Sequence, residues 1–137
     1  MHQGFGLLEV LVALALIALA TLGIVNGLSH AFLHALESKA FAHATLQAQN
    51  IYERAQANPL GFKQGAYFQI PGSAPNCNPC SPAQQASKDL ARWQEQLSEI
   101  SGEGEILPNG EGVQIIIRWP SVFEPDVEWN EWILYGS

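Results

Sequence analysis

Hydrophobic residues crowd the start of this chain and then thin into regular patterns. In "FGLLEVLVALALIALATLGIV", Phe5 to Val25, Glu9 is the only charged residue. A helix rises about 1.5 Å per residue, so this run spans roughly 31 Å, near the thickness of a bilayer's hydrocarbon core. The run begins almost at residue 1 and is longer than the apolar core of a secretory signal. It passes directly into a helical pattern with no small-residue cleavage site after it, which predicts a retained anchor. A carboxylate at hydrocarbon depth costs roughly 2.5–3.5 kcal/mol at a helix centre and calls for a partner. Glu9 is therefore the position to explain.

Beyond the anchor no Pro occurs before Pro59, and residues 28–57 are rich in the helix formers Ala, Leu, Gln and Glu. Phe41, Ala44, Ala48, Ile51 and Ala55 recur at spacings of 3 and 4, one face of an amphipathic helix. The pattern predicts a single helix running on to about Asn58, where Pro59 stops it. Gly23 and Gly27 mark a candidate bend. Residues 61–82 read as a loop with short extended pieces such as "AYFQI". Ser81-Pro82-Ala83-Gln84 is a capping-box signature with Pro at the first helical position. Ala86, Leu90, Trp93, Leu97 and Ile100 then repeat with helical spacing until Gly102. In "EILPNGEGVQIIIRW", Asn109-Gly110 between apolar runs signals a hairpin. Val113, Ile115, Ile117 and Trp119 alternate onto one strand face. "EWNEWILY" predicts another strand, with Trp129, Glu131, Ile133 and Tyr135 on one face and Trp132 and Leu134 on the other.

Composition narrows the function. The 137 residues suit one small domain plus an anchor. Six Lys and Arg against 13 Asp and Glu give a net charge of −7, so no direct nucleic-acid binding is expected. "MHQG" carries no Lys or Arg, and the first basic side chain after the anchor is Lys39. Loop charge therefore gives little orientation signal. The expected topology keeps the short tail cytoplasmic and the rest across the inner membrane. Cys77 and Cys80 in "NCNPC" read as a disulfide staple closing a loop, consistent with an oxidising compartment. A redox role is less favoured, because no βαβ pattern surrounds the pair. Two thiolates are too few for a four-Cys zinc site.

Gly4-Phe5 followed by "GLLEVLVALALIALA" resembles the class III signal segment of type IV pilins and pseudopilins. In that family the leader ends in Gly, an aromatic residue or Met follows, and a Glu lies four residues further on. The resemblance implies cleavage between Gly4 and Phe5 by a prepilin peptidase and N-methylation of Phe5. It also implies an α+β fold: a long N-terminal helix, membrane-spanning in its first half, packed on a small antiparallel sheet with one extra helix. The expected division is leader 1–4, transmembrane half 5–25, periplasmic half 26–58 and globular domain 59–137. "NCNPCSPAQQASKDLARWQEQL" and "LPNGEG" are similar to minor pilins of the PilV type, the type IV pilus modification proteins. Two positions depart from the family pattern: the leader lacks its usual basic residue, and Gly6 stands where Thr or Ser is common.

Cleavage after Gly4 would place a cationic amine on Phe5, four residues from Glu9 and on the same helix face. Glu9 is then placed to pair with that amine, in its own chain or in a neighbour, and to set the register in which subunits add. The plainer reading makes Glu9 an interfacial acid held by the helix dipole alone. The expected role is a minor pilin in pilus assembly initiation and pilus biogenesis. Its partners would be the prepilin peptidase, other minor pilins, the major pilin and inner-membrane lipid, and its location the pilus after assembly. Rival readings are a minor pseudopilin of a type II secretion system and a membrane-tethered periplasmic binding or adhesion module. His30 and His34 lie four apart on one helix face, but no third ligand accompanies them and His43 is too far along, so no metal or other cofactor is expected. Asp89, Glu95 and Glu99 read as the solvated face of the second helix. No nucleophile–base set or phosphate-binding loop can be assigned, so no enzymatic activity is expected.

Overall fold

A computed structural model describes residues 6–69, 72–110, 112–123 and 129–136. The chain divides into two compact units, residues 1–36 and 37–137. Helix α1 (Leu7–Ala57) is unbroken at Gly23 and Gly27. It is followed by α2 (Pro59–Lys63), a 3-10 turn (Ala66–Phe68), α3 (Pro82–Ser98) and strands β1 (Glu103–Asn109), β2 (Gly112–Pro120) and β3 (Trp129–Gly136). The strands form one antiparallel sheet in the order β1-β2-β3. The long N-terminal helix, small antiparallel sheet and extra helices make up the pilin-like α+β arrangement expected from the sequence.

In the first unit no described residue is buried. In the second, Ala40, Ala44, Ala48, Ile51 and Ala55 of α1 enter a core shared with Ala86, Leu90, Trp93 and Leu97 of α3 and with Val113, Ile115, Ile117 and Trp119 of β2. The buried stripe thus begins at Ala40, not at Phe41, which is 46% exposed. Small side chains let the neighbouring elements approach the helix closely. Phe41 sits at the margin of the stripe and meets Trp119 and Trp132 edge-on, with ring centroids 6.4 and 5.1 Å apart.

Pro59 opens a helix as well as closing one. Asn58 caps α2, its Oδ1 accepting from Gly61 N–H at 3.2 Å, and Pro occupies the first helical position. "AYF" is a 3-10 turn rather than an extended piece, and it carries Tyr67 into the core at 1% exposure. The capping box of α3 forms as its sequence predicts: Gln84 N–H donates to Ser81 Oγ, and Ser81 N–H to Gln84 Oε1. At its end Ser101, not Gly102, takes the left-handed conformation (φ 53°), while Gly102 N–H reaches back to Leu97 O at 3.0 Å.

The β1–β2 hairpin sits one residue later than the Asn-Gly signal implied. Asn109 pairs with Gly112, so Gly110 (φ 61°) is the first turn residue rather than the second. On β3 the face alternation holds: Trp132 and Leu134 pack on the core, while Trp129, Glu131 and Tyr135 are exposed. Two contacts fix β3 against α1. Near its start the Asn130 amide donates to Glu37 Oε1, while Glu37 Oε2 accepts from the N–H of Val122, in the connection after β2, at 3.0 Å. At its end Gly136 faces the Tyr52 ring so closely that a Cβ there would lie 2.1 Å from Tyr52 Cε2.

Candidate functional site

The first turn of α1 is built on the Gly6 carbonyl, which accepts from Glu9 N–H at 3.0 Å and Val10 N–H at 3.3 Å. Glu9 is exposed and lies in that first turn. An acid there gains typically 0.3–1 kcal/mol from the helix dipole. Among the described residues Glu9 makes no ion pair. Gly4 and Phe5, the expected cleavage and methylation positions, lie outside the described residues.

From Leu7 to Leu28 the helix presents exposed Leu, Val and Ile side chains on every side. It is long and apolar enough to cross a membrane. Each such side chain stands to gain about 1.5–3 kcal/mol on full burial. An exposed apolar surface of this extent marks a contact with lipid or with another apolar surface.

The second unit holds a buried polar junction that sequence reading missed. Asp89, read as solvated, is only 4% exposed. Its Oδ1 accepts from Arg54 Nη1 at 3.1 Å and from Gln85 Nε2 at 2.9 Å, and its Oδ2 lies 3.0 Å from the Tyr67 hydroxyl. The hydroxyl also lies 3.2 Å from Arg54 O and accepts from Asn58 Nδ2 at 3.4 Å. Asn58 Nδ2 donates in addition to Pro82 O at 2.7 Å. The junction ties the end of α1 to the 3-10 turn and to α3. Burial pushes the Tyr67 pKa up to about 12; the Asn58 hydrogen bond lowers it, while the Asp89 charge raises it further. Tyr67 is thereby held neutral and serves as a hydrogen-bonding post. A sequence clue existed: Asp89 falls three residues after Ala86 and four before Trp93, inside the apolar stripe. Glu95 and Glu99 are exposed, as read.

Cys77 and Cys80 form a disulfide, with Cα atoms 4.9 Å apart. His30 and His34 are exposed, whereas His43 Nε2 lies 3.0 Å from Gln96 O and links α1 to α3. Among the described residues no cluster of three His, Cys, Asp or Glu is placed to hold a metal.

Comparison with known families finds one match: residues 1–25 fit the prokaryotic N-terminal methylation motif. The match supports a type IV pilin- or pseudopilin-like N-terminus. Searches of curated proteins and of solved structures each found no match.

Proposed function

We propose that this protein is a minor type IV pilin. A prepilin peptidase cuts it between Gly4 and Phe5 and methylates the Phe5 amine. It then joins other minor pilins and the major pilin in initiating and building the pilus. The observation that carries the reading is an exposed apolar helix, residues 7–28, whose one acid lies in its first turn, within a matched methylation motif. Before assembly lipid covers that surface, with residues 26–137 in the periplasm, where the Cys77–Cys80 disulfide is stable. In a bundle of such helices, Glu9 pairs with the amine that cleavage creates. A buried ion pair stabilises only when both charges are present, so the pair sets the axial register of each added subunit. On this reading the chain has no catalytic activity of its own.

Mass spectrometry of the protein purified from its native cell tests the proposal. The expected mature chain begins at Phe5 and carries one methyl group on its amine. A chain that keeps Met1–Gly4 overturns the reading and favours a tethered periplasmic binding or adhesion module. A processed chain whose gene lies among type II secretion genes identifies a minor pseudopilin instead.

A further inference from the structure

Two pairs of residues on α1 are left without a role by the assembly reading: Gly23 with Gly27, and His30 with His34. The helix runs unbroken through both glycines, so neither makes a bend. A glycine inside a helix is otherwise unfavourable. At each of these two a Cβ would meet nothing within 4 Å, so their own chain does not require them to be small. At about 100° per residue, Gly23, Gly27, His30 and His34 fall within an arc of about 60°, a single face of the helix. Two small residues four apart let a second helix approach closely in a membrane. The face that permits such an approach is the face that carries both imidazoles.

His30 and His34 are exposed, and histidines four apart on one helix face are a spacing that binds zinc. Among the described residues no third His, Cys, Asp or Glu completes a site within one chain, and structural zinc takes four ligands. A second copy supplies the missing two. The apolar run ends at Val25, so the bilayer holds every copy at the same depth and brings the histidine pairs of parallel copies level. At about 1.5 Å per residue the two histidines lie roughly 8–14 Å beyond Val25, among headgroups and water, where a hydrated cation reaches them. We propose that two copies of this chain, packed through Gly23 and Gly27, bind one zinc ion between the His30 and His34 side chains of both. Imidazole nitrogens suit Zn²⁺, whereas Ca²⁺ and Mg²⁺ take oxygen ligands. The inference rests on the anchoring of α1 in a bilayer, not on cleavage after Gly4 or on entry into a pilus.

The test uses the full chain, stripped of metal with EDTA, in nonionic detergent. Equilibrium dialysis reads zinc stoichiometry and sedimentation equilibrium reads association. The expected result is one zinc per two chains. At free zinc ten times its dissociation constant, a site present only in the dimer tightens association about elevenfold. Cobalt(II) in place of zinc should show the absorption of a tetrahedral site. H30A/H34A loses both the zinc and the zinc-dependent dimer; both positions are exposed, so the fold is not at stake. His2 and His43 remain in that variant and cancel from the comparison. Gly27→Leu keeps all four ligands but holds the helices apart, and it weakens the zinc-dependent dimer severalfold. Zinc binding undiminished in H30A/H34A, zinc that binds without tightening association, or a zinc-dependent dimer undiminished in Gly27→Leu overturns the proposal. None of these results bears on whether the N-terminus is processed.

Discussion

Removing the Asp89 carboxylate separates a structural acid from a solvated one. In Asp89→Ala, Arg54 Nη1, Gln85 Nε2 and the Tyr67 hydroxyl lose an acceptor at 2.9–3.1 Å. Breaking a fully buried ion pair costs about 3–5 kcal/mol. Arg54 is 33% exposed and regains water on its open side, and Tyr67 keeps Arg54 O within 3.2 Å. Those two compensations bring the expected loss down to about 2–4 kcal/mol. Asp89→Asn keeps the shape and one acceptor and loses about 1–2 kcal/mol. Arg54→Ala is at least as damaging as Asp89→Asn, since it leaves a charge at 4% exposure without its counter-ion. Thermal unfolding of the full chain in detergent, followed by near-ultraviolet circular dichroism, reads the effect as a Tm fall of order 10–20 °C for Asp89→Ala. The Arg54/Asp89 double-mutant cycle should show a coupling above about 0.5 kcal/mol. A solvated acid changes stability by no more than about 0.5 kcal/mol. Asp89→Ala within that margin of the native chain would refute the junction.

Because the folded-state pKa of Tyr67 is raised from 10.0 to about 12, its contribution is complete below pH 10 and is lost as pH climbs through about 12. The loss is about 2–3 kcal/mol, measured as the difference between native and Tyr67→Phe urea curves across that range. Gly104→Ala would put a Cβ 2.4 Å from Trp93 Cη2 and 2.5 Å from Leu97 Cδ1; both side chains are buried, so a loss of about 1–3 kcal/mol is expected in the same melts. Glu9→Ala should insert and be processed normally yet enter pili poorly, as read by immunoblots of membrane and sheared-pilus fractions; native-level incorporation would exclude the register role.

What the sequence revealed is what near neighbours decide. The capping box at Ser81 and Gln84, the alternation in β2 and the apolar run with its single acid depend on residues a few positions apart, and each was legible. Asp89 was misread because its partner, Arg54, lies 35 positions earlier and packs against it only once α1 and α3 meet. The same contact explains the 3-10 turn at Ala66–Phe68: local pattern suggested an extended piece, but Tyr67 must reach Asp89. Phe41 was credited to the buried stripe for its hydrophobicity, whereas packing selected Ala40 for its size.

The two ends of β3 impose a gauge on the second unit. Between Glu37 and Tyr52 the helix advances about 22 Å, and between Asn130 and Gly136 the strand covers about 20 Å. Strand and helix segment therefore run side by side in the same direction, matched in length to within a single residue. Deleting one residue from β3 shortens it by about 3.4 Å and turns every later side chain to the opposite face. The carboxylate clasp and the aromatic stop can no longer engage together, so evolution can vary what this strand displays outward far more freely than how many residues it contains.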